Sequence, residues 1–199
     1  MIFYYFCCRK EFFRSKMKKL IVTIWLSIMV FVGLAQTQPM RFMGISLNCT
    51  MSTFSSKLKG KGFVEDPTNS RENFVVMKGL FAGEKTRAEV RCAAKTHMVS
   101  SVYVCFNRST SYTYEDLRKR LADKYGTGYK EFTDLKEEGG YVKYVTDYTE
   151  WKTDVDTVTG GYNLVVLSKC SYRSTSSFVI SYIDGKNSKV EALEINSDF

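Results

Sequence analysis

The sequence predicts an α+β fold: two helix-then-three-strand repeats that form one antiparallel sheet with both helices on one face. Three observations point there. Phe54 and Leu58 sit four apart in a stretch ended by Gly60 and Gly62, and Leu117 and Leu121 repeat that spacing 63 residues on before Gly126. Each helical stretch is followed by three segments rich in β-branched and aromatic residues with turn residues between them. The chain left after a leader is long enough for one domain that buries about 70% of its unfolded surface.

The leader comes first. Lys18 and Lys19 precede an apolar run from Leu20 to Leu34, and Gly33 and Ala35 occupy the small-residue positions of a cut before Gln36. The run is short of the roughly 20 residues that span a bilayer, which favours a cleaved export signal over an anchor. Residues 1–35 are therefore the expected leader, with the true start at Met17, because the residues before Met17 place apolar side chains ahead of charges. The expected location is periplasmic or secreted, with contact to a membrane only through the leader. In residues 1–35, Arg9, Lys10, Arg14, Lys16, Lys18 and Lys19 against Glu11 account for +5 of the formal +8, leaving +3 for residues 36–199. So weak an excess gives no case for nucleic acid.

Residues 36–199 are read as a single domain of two repeats, about 42–110 and 111–199. The first helix is expected over Thr50 to Lys59, with strands over 73–82, 86–94 and 99–107. In the second repeat Thr113 and Asp116 form a short-armed capping box for a helix through Tyr125. Lys136 to Gly140 reads as a charged loop, and strands follow over 141–151, 162–169 and 176–183. Asp184-Gly185 reads as a turn, after which Val190, Leu193 and Ile195 extend the sheet or cover an edge.

Cys49, Cys92, Cys105 and Cys170 follow the leader and can pair in three ways or stay as buried thiols. A hairpin loop at Gly83-Glu84 would set Val75 opposite Cys92, and then Cys92 opposite Val102. Cys92 then shares a face with Val102 and Val104 while Cys105 points away, so a Cys92–Cys105 bridge is disfavoured.

His97 is the lone histidine, which excludes a zinc site of two or three imidazoles, and its place in the Lys95–Met98 connection reads as a solvated turn. Glu137 with Glu138, and Asp154 with Asp156, read as solvated turn acids, since neither pair shows a signal of burial. No metal or cofactor is expected. Asn48-Cys49-Thr50 and Asn107-Arg108-Ser109 match the glycosylation sequon, coincidentally if the leader is bacterial.

Aromatic residues make up 15% of the chain, with tyrosine concentrated in the second half. Alternation along 141–151 places Tyr144 and Tyr148 on one face and Tyr141, Lys143 and Trp151 on the other. If that second face is open, it offers amphipathic contact area to a protein or a sugar. Tyr141, Lys143 and Trp151 are the predicted binding residues.

Met43-Gly44-Ile45-Ser46-Leu47 with Phe54, Leu58 and Gly60-Lys61-Gly62-Phe63, and Ser181-Tyr182-Ile183-Asp184-Gly185-Lys186-Asn187, resemble the two ends of small exported proteins of unknown function from Bacteroides-type gut bacteria. That resemblance implies export and brings no catalytic residues. The order of helix and strands, used twice, is similar to the tandem architecture of the β-lactamase inhibitor protein family, which implies a sheet face that grips a protein partner. The expectation is an exported, non-enzymatic binding module whose partner is a protein or a cell-envelope glycan. The alternatives are a small hydrolase built on a cysteine and His97, and a structural subunit of an envelope assembly.

Overall fold

The structure, a computed structural model, describes residues 39–107, 110–138, 141–155, 162–172 and 175–196, and of these the side chains of 137, 138, 141–143, 154, 155, 172, 195 and 196 are left aside. The leader assigned to residues 1–35 lies outside the described residues. Among the described residues no helix is long and apolar enough to cross a membrane.

The described residues open with a hairpin of two short strands, β1 (Arg41–Phe42) and β2 (Ile45–Ser46). Met43 and Gly44 both take positive φ at its turn, as the I′ form requires. Helix α1 (Met51–Lys59) follows, its N-cap Thr50 accepting from the Thr53 N–H. Next come β3 (Val64–Glu65), β4 (Phe74–Phe81), β5 (Glu84–Cys92) and β6 (Val99–Phe106). Helix α2 (Tyr114–Tyr125) begins with both halves of the anticipated box: Thr113 Oγ1 accepts from Asp116 N–H at 3.2 Å, and Asp116 Oδ2 accepts from Thr113 N–H at 3.0 Å. Strands β7 (Lys130–Glu138), β8 (Tyr141–Val155), β9 (Tyr162–Tyr172) and β10 (Thr175–Ile183) lead to helix α3 (Gly185–Asn196).

Eight of the strands form one antiparallel sheet in the order β3-β4-β5-β6-β10-β9-β8-β7. The last strand of the chain therefore lies at the centre, against β6. Cross-strand register sets Met77, Ala88, Val104, Ile180, Leu167 and Thr149 in one row and Val75, Val90, Val102, Tyr182, Val165 and Trp151 in the next. These rows meet Phe54 and Leu58 of α1 and Leu117 and Leu121 of α2 in a single core cluster, so one face of the sheet is covered. Phe42, Ile45 and Leu47 from the first hairpin complete it.

Gly79 shows how closely that core is filled. A side chain there would start 2.5 Å from the Phe63 ring, which is buried directly over the glycine.

Four expectations change. Lys136 to Glu138 belong to β7, not to a loop; β7 carries no strand signal of its own, because Phe132 and Leu135 are three apart and fit no two-residue period. The short β3 adds a fourth strand to the first group. The hairpin turn falls at Ala82-Gly83, both at positive φ, so Val75 faces Val90 and Val90 faces Val102. That moves each pairing by two residues and leaves every side chain on its expected face. Asp184-Gly185 is the start of α3, where Asp184 Oδ1 accepts from the Asn187 N–H at 3.0 Å, a helix N-cap.

Helix α3 is tied to the centre of the sheet. Asn187 Nδ2 donates to Val99 O at 2.9 Å, Asp184 N–H donates to Ser100 O at 2.9 Å, and Gly185 N–H donates to Asn163 Oδ1 at 3.2 Å. A Cβ on Gly185 would lie 2.0 Å from Tyr162 O, so only glycine fits between helix and strand. These contacts account for the closing Asp184, Gly185 and Asn187 in structural terms.

Replacing Gly79 with alanine should lower the free energy of unfolding by about 1–3 kcal/mol through overpacking. Adding Phe63→Leu to Gly79→Ala should recover part of that loss, because the smaller side chain gives way. Denaturant unfolding of wild type and both variants checks both statements, and a neutral Gly79→Ala would show that the ring moves freely.

Candidate functional site

The face opposite the core carries the other parity of each strand. Its middle row runs Val64, Lys78, Arg87, Cys105, Val179, Ser168, Tyr148 and Phe132 across all eight strands. Beside it lie Leu80 and Lys85, which face each other across the β4–β5 pair.

Strands β3 to β6, together with β10, form a groove on this face. The groove, of about 910 Å³, is lined by Val64, Lys78, Leu80, Lys85, Arg87 and Val179, among others. Val64 and Leu80 are 71% and 58% exposed, unusually open for large aliphatic side chains on strands. Strand β5 explains the arrangement: Glu84 to Cys92 alternates Thr86, Ala88, Val90 and Cys92 toward the core with Lys85, Arg87, Glu89 and Arg91 outward. Part of the charge is internally matched, with Lys78 to Asp66 at 2.7 Å and Arg87 to Glu89 at 2.6 Å. The Lys78 ammonium and the Asn69 amide hold the Asp66 carboxyl below the usual range. The Arg91 guanidinium lies over the Tyr103 and Phe74 rings, 5.1 and 5.8 Å from their centroids.

The predicted contact residues fare differently. Trp151 is 1% exposed and belongs to the core, its indole N–H donating to Gly126 O at 2.9 Å and its ring tilted against Tyr129 at 5.4 Å. Its placement on an open face is thus corrected: Trp151 lies beneath α2, and the open side of β8 is the one bearing Tyr148. A bulge also breaks the alternation the prediction relied on, because Lys136 pairs with Tyr144 whereas Glu137 pairs with Val142, passing over Lys143. Tyr141 and Lys143 lie on the backbone of β8, and their side chains fall outside the described residues. On the open side Tyr148 stacks on Phe132 with centroids 4.8 Å apart and planes at 16°.

The four cysteines among the described residues, Cys49, Cys92, Cys105 and Cys170, are free. Cys92 is buried on the core face and its thiol, 3.9 Å from Asn73 Oδ1, is pushed up to about 11 by desolvation, with Glu191, Glu194 and Glu72 adding to the shift. Burial likewise raises the Cys105 thiol, which lies 3.9 Å from Glu89 Oε1 on the opposite face, and that of Cys49, whose Sγ donates to Ser46 O. Thiols held in their neutral form are poor nucleophiles. His97 is exposed in the β5–β6 connection at positive φ, where its backbone bonds to Ala93 and Met51. Among the described residues no hydrogen bond joins its imidazole to a cysteine or a carboxylate.

Sequence reasoning missed Val64, Leu80 and Lys85. The alternation of bases with small residues along 84–92 was the available signal. Comparison of the chain with protein-family models, with curated proteins and with solved structures finds no match to any of them.

Trp151→Ala should cost about 3–5 kcal/mol of stability, as expected for deleting a buried aromatic side chain, and Trp151→Phe distinctly less; chemical unfolding followed by circular dichroism measures both. Cys92 should resist iodoacetamide at pH 8 in the native protein and react once unfolded. A raised thiol pKa stabilises the fold fully below the unfolded value of about 8.5 and loses that contribution as pH climbs toward 11. Wild type should accordingly lose stability relative to Cys92→Ala across that alkaline interval, and parallel curves would contradict the assignment.

Proposed function

We propose that the chain is an exported, non-enzymatic binding module that uses the open face of its sheet to hold a protein or envelope component. One observation carries the reading: Val64 and Leu80, large apolar side chains more than half exposed, stand beside Lys78, Lys85 and Arg87 in a groove on that face. An apolar centre rimmed by bases suits a protein surface that presents an apolar side chain among carboxylates. Hydrogen bonds and ring contacts tie Trp151 and the capping residues into the fold itself, which favours this face as the chemistry directed outward.

The element order supports a two-repeat origin. Helix α1 precedes β3–β6 and helix α2 precedes β7–β10, with β6 and β10 adjacent at the centre. In this reading each unit is a helix and four strands, and the two share one face for binding, as the resemblance to the β-lactamase inhibitor protein family implies. Export and periplasmic or secreted location belong to the same proposal and rest on the leader sequence alone.

A capture experiment from envelope extract tests the site. Wild type is compared with Leu80→Thr, Lys85→Glu, a pair of exposed substitutions that should leave the unfolding midpoint nearly unchanged. The expected result is a partner retained by wild type, lost from the variant by about tenfold or more, and released by added salt. Equal recovery by both proteins at unchanged stability would remove this groove from the site.

A further inference from the structure

The geometry points to a second copy of this chain as the occupant of the sheet edge formed by β7. Among the described residues this strand pairs with β8 on one side only; it spans nine residues and is exposed from Lys130 to Lys136. Phe132 and Leu135 are 49% and 55% exposed. The edge at the other end, β3, is two residues long. A long edge with open apolar side chains is a template for strand pairing unless something covers it.

The sequence of β7 supplies its own complement. A two-fold axis normal to the sheet brings two copies of β7 together antiparallel and requires facing residues to share a face, so only alternate registers are allowed. Centred on Phe132, the pairing sets Lys130 opposite Asp134 twice, Glu131 opposite Thr133 twice, and Phe132 opposite its own copy, with Tyr148 already stacked behind each ring. Leu135 then meets Tyr129, the residue just before the strand. Among the described residues Lys130 and Asp134 show no ion pair that this pairing would break.

Neighbouring registers are poorer. Centring on Thr133 opposes Lys130 and Lys136, and centring on Asp134 opposes that carboxylate with itself and Glu131 with Glu137. Centring on Leu135 matches Asp134 with Lys136 but leaves Phe132 facing Glu138. The Phe132-centred register alone gives both exposed apolar side chains an aromatic partner and both ion pairs at once.

The pairing also places the open faces of both copies on the same side of a continuous sixteen-stranded sheet. It draws on the β7 edge and not on the Leu80–Lys85 groove, so the two ideas succeed or fail independently.

Sedimentation velocity of the purified protein over a concentration series tests it. Wild type should show a concentration-dependent dimer. Lys130→Asp alone and Asp134→Lys alone should each weaken self-association by about tenfold or more, because each opposes like charges twice. An equimolar mixture of the two variants should recover wild-type dimerisation, since one copy then presents only carboxylates at these two positions and its partner only ammonium groups. Recovery in the mixture also shows that each variant is folded. A monomeric wild type, a dimer indifferent to either single change, or a mixture that stays monomeric would each overturn the proposal. A dimer weakened by Lys136→Asp but not by Lys130→Asp would overturn its register.

Discussion

The pairing of β6 with β10 is the seam on which the molecule depends. Val104 faces Ile180 and Val102 faces Tyr182 across it, and these four side chains are at most 3% exposed. Everything before β6 along the sheet belongs to the first half of the chain and everything beyond β10 to the second. The core cluster is continuous because the seam carries one apolar row into the next. Tyr182 shows how thoroughly water is excluded there: burial pushes its phenol upward in pKa, keeping it neutral. Helix α3 reinforces the same line, its Asp184 and Asn187 bonding backbone groups at the start of β6.

Local signals in the sequence translate faithfully into structure. Thr113, Asp116 and Gly126 bound α2 as their chemistry dictates, and the alternation of β5 tells which of its side chains face inward. The two-residue error in the first hairpin does no harm to face assignment, because strand parity survives a shift of two. Longer-range features are harder to see. Asp184-Gly185 has the composition of a turn, and its role as a helix start depends on Val99, Ser100 and Asn163, all distant in sequence. Strand β7 has neither buried face nor simple period, so nothing local marks it.

The candidate site illustrates the same division. Which residues of β8 share a face is legible up to the bulge at Lys143; which face is covered is not, since that is decided by where α2 lies. Trp151 is large and amphipathic, and those qualities serve it equally well in a contact surface and in the core, where the indole N–H finds the Gly126 carbonyl. On β5, by contrast, small residues mark the inner face, so the outward bases are legible from the sequence. Periodicity reports sidedness, and only tertiary packing says which side meets water.

Placing the final strand at the centre has a temporal consequence. Strands β4, β5 and β6 form a meander of near neighbours, as do β7, β8 and β9, so both groups assemble from short loops with little entropy lost on closure. The contact that unites them joins segments about seventy residues apart and waits for the last strand to emerge. The two groups of strands are therefore joined through β10, whose pairing with β6 is the long-range contact that closes the sheet.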